Sequence, residues 1–147
     1  YGAESWEDAV QWLIDTKGPY TSIQYWGHGS PGRAWLAQKA LHIPALAPLR
    51  TMMAPTSVLW FRNCSMFQGM QGYDVSFALT TLLGCTVAGY TRTIGFLQSG
   101  LHTRKPNELP SWAMEEKDEG PAWMVGMGLQ WGNNTIFCLR ASIPKGW

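Results

Sequence analysis

Hydrophobic residues recur at three- and four-residue spacing in two parts of the chain, and this period is typical of one face of a helix. It predicts a helix over residues 4–16 and another over residues 74–83. The first run ends at Gly18-Pro19, and the second ends at Gly84, where glycine easily adopts a left-handed C-cap. Asp74 is interpreted as the cap at the start of the second helix and not as a catalytic carboxylate.

Three short runs of β-branched and aromatic residues predict strands over residues 22–26, 57–61 and 85–91. The run over 57–61 is continuously apolar, as in a strand buried on both faces. A turn at 132–134 followed by an apolar run predicts a last strand over 135–140.

Glycine and proline mark the segments between these elements. Residues 27–32 and the segment around Gly69 and Gly72 are predicted to be loops. Residues 36–53 have helical spacing interrupted by prolines, so we expect one or two short helices there. Residues 93–121 show no clear period and are predicted to be a long loop.

The alternation of helix and strand predicts an α/β fold in which helices cover a mainly parallel sheet. Functional sites in such sheets form beyond the carboxyl ends of the strands. The loop after the first strand carries His28 and Gly29, and the loop after the second carries Cys64. If the two strands are neighbours, both loops leave the same edge of the sheet, and His28 approaches Cys64.

The 147 residues correspond to one domain, and 46% hydrophobic content argues against disorder. The formal net charge of +1 is too small to favour nucleic acid as a partner. No apolar run reaches the roughly 18 residues of a membrane span. The histidines and cysteines lack the short paired spacing of metal sites, so neither a metal nor another cofactor is expected. Because the chain begins at Tyr1, we interpret it as a fragment or processed part of a longer polypeptide.

The sequence contains three cysteines, and an odd number without a CxxC pair argues against a disulfide framework. A reducing, cytoplasmic compartment is therefore favoured, and secretion is the alternative. Cys85 and Cys138 are predicted to be buried strand residues. In a secreted protein these two would be the candidates for a disulfide.

Cys64 and His28 have the chemistry of a nucleophile and its base. The backbone N–H groups of Gly29 and Cys64 are candidates for the oxyanion hole, since glycine lets a carbonyl approach the main chain closely. A single loop histidine or a single cysteine is more often structural. What favours catalysis is that both residues lie at successive strand ends.

The sequence Trp-Gly-His28-Gly-Ser-Pro-Gly after one apolar strand, with Asn-Cys64-Ser after the next, resembles the caspase-like (clan CD) cysteine peptidases. It is most similar to a bacterial caspase-like domain family with a His-Gly-Ser-Pro-Gly motif. The resemblance covers residues 4–92. It implies one domain over residues 1–147 with a three-layer caspase-hemoglobinase fold, a core at 4–92 and a loop-rich part at 93–147. It also implies a Cys-His dyad that cleaves protein or peptide substrates, as in the proteolytic activation of a partner protein, with Gly29 at the oxyanion hole.

The resemblance implies two further features. The fold normally begins with a strand before the first helix, and this chain lacks it, so an N-terminal segment or another subunit is expected to cover the sheet. The residue two before the nucleophile lines the specificity pocket in such peptidases, and here it is Arg62. With Arg92 beside it, Arg62 predicts binding of an acidic side chain; the alternative is that Arg62 points to solvent.

Other functions compete with this hypothesis. A catalytically silent caspase-like module could bind a protein partner through tryptophans, with Trp35, Trp112 and Trp123 as anchors or as core residues. An α/β-hydrolase is disfavoured because the chain has no Gly-x-Ser-x-Gly elbow. A phosphate-binding loop is disfavoured because no Lys-Ser/Thr follows the glycines.

Overall fold

The computed structural model describes residues 1–132 and 134–147. The helices are α1 (Trp6–Asp15), a 3₁₀ helix (Ile43–Met52), α2 (Gly69–Leu83) and α3 (Ala122–Gly126). The strands are β1 (Tyr20–Trp26), β2 (His28–Ser30), β3 (Arg33–Leu36), β4 (Lys39–Ala40), β5 (Met53–Arg62), β6 (Thr86–Tyr90), β7 (Leu97–Gln98), β8 (Leu101–Arg104) and β9 (Ile136–Phe137).

A four-stranded sheet with the order β1-β5-β6-β8 forms the centre of the fold. β1, β5 and β6 are parallel, and β8 is antiparallel to β6. The prediction of a mixed α/β fold with a mainly parallel sheet is confirmed. β8 lies in the stretch that was predicted to be a loop, because a strand of four residues is too short to show a clear period.

The helices α1 and α2 and the 3₁₀ helix flank the sheet on one face, where they share a core with alternate residues of β5. Right-handed crossovers between strands added in one direction place the two connections, the 3₁₀ helix and α2, on the same face. On the opposite face, Trp60 and Tyr90 pack with Leu101 and Ile136. The predicted third layer is therefore formed by C-terminal segments and not by helices.

The predicted helices are present, but one boundary differs. α1 begins after Ser5, whose hydroxyl accepts the N–H of Asp8, and α2 ends at Gly84 with φ +65°, as predicted. α2 begins at Gly69, so the prediction of a loop around Gly69 and Gly72 is wrong. Gly72 is helical, and its missing Cβ lets the helix pack on the backbone of Phe67. Asp74 lies inside the helix and does not cap it.

The segment predicted to be a loop at 27–32 is a hairpin in part. β2 pairs with β3 across a turn at Pro31-Gly32, and Gly32 adopts φ +70°. β3 also pairs with β4, so residues before the 3₁₀ helix form a small antiparallel sheet. The prediction missed this hairpin because all three residues of β2 lie in the Gly- and Pro-containing stretch 27–32, which resembles a loop.

The three cysteines are free. Cys85 is buried as predicted. Cys138 is only half-buried and follows β9, which is shorter than the predicted last strand, so its prediction as a buried strand residue is wrong. In the part of the chain that the structure describes, no helix has the length and apolar character needed to cross a membrane.

Candidate active site

The register of β1 and β5 brings the two chemically important loops together. Trp26, the last residue of β1, pairs with Arg62, the last residue of β5. His28 and Cys64 each follow two residues later, so they leave the same edge of the sheet at the same level. Neighbouring strands lie about 4.8 Å apart, which makes these two loops direct neighbours.

The two loops contact each other through Gly29 and Asn63. A Cβ added at Gly29 would lie 2.3 Å from Nδ2 of Asn63 and 2.6 Å from the carbonyl oxygen of Cys64. Only glycine permits such an approach without displacing backbone. The β2–β3 hairpin therefore rests directly on the loop that carries the candidate nucleophile.

The reactive groups of the predicted dyad lie at this edge but do not form a hydrogen bond with each other. The thiol of the half-buried Cys64 donates to the carbonyl oxygen of Ile94 over 3.7 Å. The imidazole of His28 is exposed to solvent. Catalytic hydrogen bonds often form only when substrate binds, so a dyad does not require this contact in the free protein.

The loop after β5 has an unusual backbone. Ser65, the residue after Cys64, has φ +56°, in the left-handed region that few residues other than glycine adopt. Two hydrogen bonds to the end of β6 hold it there: Ser65 donates to the Arg92 carbonyl over 3.0 Å, and Phe67 donates to the Tyr90 carbonyl over 2.8 Å. Backbone strain of this kind is concentrated at functional sites.

The N–H groups of Gly29 and Cys64, the two predicted oxyanion donors, take no part in the pairing of β2 with β3. The carbonyl of Ala34, which pairs with Gly29, accepts the N–H of Leu41 on the other side of β3. Gly29 and Ala34 therefore form a non-hydrogen-bonded pair, and the N–H of Gly29 points away from β3. Among the described residues, no oxygen accepts the N–H of Cys64.

Arg62 does not line a pocket. It is 2% exposed, and its guanidinium makes five hydrogen bonds, all to oxygens of this chain: Gln98 Oε1 twice, Gln24 Oε1, and the carbonyls of Cys138 and Arg140. Because a guanidinium has five N–H donors, none is left for a substrate carboxylate. The prediction of a substrate-binding Arg62 is therefore corrected, and so is the alternative that it points to solvent.

The environment of Arg62 explains how a charge is kept in the interior. Its guanidinium lies 3.9 Å from the ring centroid of Trp26 and 4.2 Å from that of Trp60, between two cation–π partners. Burial lowers the pKa of Arg62, and no carboxylate pairs with it within residues 1–132 and 134–147. The network ties the ends of β1 and β5 to the C-terminal segment.

The guanidinium of Arg92 is paired with carboxylates of this chain. It is buried, and its Nη2 lies 3.2 Å from Oε2 of Glu119, while its Nε lies 3.8 Å from Oε1 of Glu116. Burial opposes ionisation of Glu116, but hydrogen bonds from His102 and Thr91 outweigh it and hold the pKa of Glu116 below its ordinary value. Two carboxylates thus compensate Arg92, and the predicted role in binding an acidic substrate loses its support.

Two side chains that organise this edge were not predicted from the sequence. Asp118 accepts both the N–H and the hydroxyl of Thr93, at 2.7 and 2.8 Å, and so holds the segment next to Ile94. The second is Asn63, which joins the two loops. In the sequence, only its position beside Cys64 suggested a role at the site, because the acceptors of its amide are distant in the chain.

No group of three potential metal-ligating side chains occurs in the described part of the chain. The site is therefore built from a thiol, an imidazole and backbone N–H groups at the edge of a parallel sheet. Comparisons of this chain with family models, curated proteins and solved structures found no match.

Proposed function

We propose that this chain is a caspase-like cysteine endopeptidase, with Cys64 as the nucleophile and His28 as the general base and acid. The observation that carries the proposal is the strand register, which places His28 and Cys64 two residues beyond the paired residues Trp26 and Arg62. The contact of Gly29 with the Cys64 loop and the left-handed Ser65 also support it. The proposal includes a caspase-hemoglobinase fold for the chain.

The chemistry follows from these groups. His28 takes the proton of the Cys64 thiol, and the thiolate sulfur attacks the carbonyl carbon of the scissile peptide bond. The N–H groups of Gly29 and Cys64 stabilise the oxyanion that forms. When the C–N bond breaks, His28 gives its proton to the leaving amine. Water, deprotonated by His28, then hydrolyses the thioester and releases the acid and the free thiol.

The substrate in this proposal is a protein or peptide, as in the proteolytic activation of a partner protein. All N–H donors of the Arg62 guanidinium are used within the chain, and the charge of Arg92 is paired with Glu116 and Glu119. An acidic residue at the cleaved position is therefore no longer part of the proposal.

We expect iodoacetamide to alkylate Cys64 faster than Cys85 or Cys138 in the native protein, because the imidazole of His28 lies on the loop next to Cys64. His28→Ala is expected to slow that reaction, and to lower the hydrolysis of a fluorogenic peptide library by about 100-fold or more, as for loss of a general base. Cys64→Ala is expected to abolish hydrolysis. The measurements are mass-spectrometric peptide mapping and library turnover.

His42→Ala and Cys138→Ala are the matched controls. His42 is exposed and its side chain makes no capping hydrogen bond, so its loss should change neither rate. Preferential labelling of Cys138, or equal effects of His42→Ala and His28→Ala, contradicts the dyad.

A second candidate function, a catalytically silent binding module, is favoured by one observation. The exposed rings of Phe96, Phe137 and Trp131 form a cluster, with centroids 5.6 Å and 6.3 Å apart. Exposed aromatic clusters of this kind are common in protein interfaces. Of the tryptophans predicted to be anchors or core, Trp112 is buried and Trp123 is exposed. Wild-type protein without any library turnover would favour this function.

We also propose that a further extended segment, from an N-terminal part or another subunit, covers the outer edge of β1. β1 ends the sheet, and an apolar cavity of about 690 Å³ lies between α1 and β1, lined by residues such as Val10, Ile23 and Leu59. An edge strand of seven residues beside an open apolar cavity presents unpaired N–H and C=O groups to a partner strand.

For these 147 residues alone, we expect self-association that increases with concentration in light scattering, and fast hydrogen exchange at the outer amides of β1. A monodisperse monomer in which every amide of β1 is protected contradicts the proposal of a covering segment. The dyad experiment above is independent of this result.

A further inference from the structure

Asn63 lies between Arg62 and the candidate nucleophile, and its side chain is directed under the β2–β3 hairpin. The residue is 1% exposed. Its Nδ2 donates to the carbonyl of His28 on β2 and to the carbonyl of Arg33 on β3, each over 3.4 Å. One amide group therefore spans both strands of the hairpin that carries the candidate base.

The same amide is in close contact with Gly29. A Cβ at Gly29 would lie 2.3 Å from Nδ2, so the hairpin backbone is packed against this amide, and the two hydrogen bonds of 3.4 Å link both strands of the hairpin to it. β2 begins at His28, so the Asn63 amide also sets how far His28 lies from the edge of the central sheet. Cys64 is the next residue after Asn63, so the same contact relates both members of the dyad.

The other half of the Asn63 side chain has no partner. Oδ1 is buried and accepts no hydrogen bond among the described residues. Burying an unpaired acceptor costs free energy, so an apolar residue of similar size would suit this place better if stability alone mattered. Buried polar groups left unsatisfied in this way call for a functional explanation. For Asn63, the two N–H donors of Nδ2, which bind the hairpin, supply this functional explanation.

We propose that Asn63 is the positioning residue of the dyad: its amide sets the position of the hairpin that carries His28 relative to Cys64. Asn63 acts through His28. The inference rests on the proposed function of Cys64 and His28.

The test uses Asn63→Asp, which keeps the shape of the side chain but places a carboxylate oxygen against two carbonyl oxygens. The repulsion moves the hairpin outward. We expect the rate constant for alkylation of Cys64 by iodoacetamide to fall about 10-fold, because small displacements of a catalytic group have effects of this order or more. Alkylation of Cys138 in the same sample is the internal reference, and a merely loosened fold would raise both rates.

A double-mutant cycle decides whether Asn63 acts through His28. In the His28→Ala background, Asn63→Asp is expected to change the Cys64 rate by less than about 2-fold, since no base is left to position. An equal fall in both backgrounds overturns the proposal. Asn107→Asp is the matched control, since Asn107 is exposed and lies far along the chain; it should leave the rate unchanged.

A second variant keeps the proposal testable if Asn63→Asp does not fold, as judged by circular dichroism. Gly29→Ala introduces the Cβ that meets Nδ2 and lifts the hairpin from above, and the same fall in the Cys64 rate is expected. Alkylation forms no oxyanion, so this rate reports position and not the loss of an oxyanion donor.

The two proposals fail in different ways. If His28→Ala leaves the Cys64 rate unchanged, the proposed function fails. If His28→Ala slows alkylation and folded Asn63→Asp and Gly29→Ala both keep the wild-type rate, only the positioning role fails.

Discussion

Replacing Arg62 by leucine is expected to lower the free energy of unfolding by about 3 kcal/mol, because three part-buried acceptors lose a charged donor and a hydrogen bond to a charged group contributes roughly 1.5–3 kcal/mol. The carbonyls of Cys138 and Arg140 and the side chain of Gln24 would lose their donor. The two indoles that enclose the guanidinium would lose their cation–π contacts as well. Urea denaturation followed by tryptophan fluorescence measures the change.

Arg62→Lys is expected to recover only a small part of the loss, since an ammonium cannot reach oxygens on three segments in one plane. Arg33→Leu is the matched control: Arg33 is exposed and lies 5.9 Å from the ring of Trp35, so its removal should change stability by less than about 0.5 kcal/mol. Wild-type stability of Arg62→Leu contradicts the structural role given to this residue.

Gly72→Ala is expected to destabilise the protein by about 3 kcal/mol, at the upper end of the usual cost of overpacking. By helix propensity alone, the change should stabilise α2 by about 1 kcal/mol. The sign is reversed because the new Cβ would lie 2.0 Å from the carbonyl carbon of Phe67, and backbone must move to make room. The thermal midpoint and the urea midpoint of unfolding measure the effect.

Gly126→Ala separates the effect of helix propensity from the effect of overpacking. Gly126 is also helical, in α3, but nothing lies within 4 Å of a Cβ added there, so its replacement should be neutral or slightly stabilising. If Gly72→Ala behaves like Gly126→Ala, the close packing of α2 on Phe67 is refuted.

Local periodicity in the sequence is sufficient to predict several elements of this fold. The spacing of Trp6, Val10 and Leu13 buries one face of α1, and a continuously apolar run makes β5 a central strand, so both could be predicted. The parallel order of the strands follows from alternation of helices and strands. That order is enough to place His28 and Cys64 at one edge.

The surroundings of that edge depend on contacts between residues that are distant in the chain. Arg62 meets Gln24, Gln98 and the carbonyls at 138 and 140, which are 36 to 78 residues away in the chain. No local pattern records such partners. For the same reason its burial was missed, and an arginine at a strand end was interpreted as a specificity residue.

Glycine shows the same division between local and distant causes. Gly84 ends α2 because its own backbone adopts φ +65°, which is a local property and could be predicted. Gly72 and Gly29 are required by what approaches them, the backbone of Phe67 and the amide of Asn63. Steric contacts of this kind exist only after the elements have packed, so the sequence predicted a loop at Gly72 where the structure has a helix.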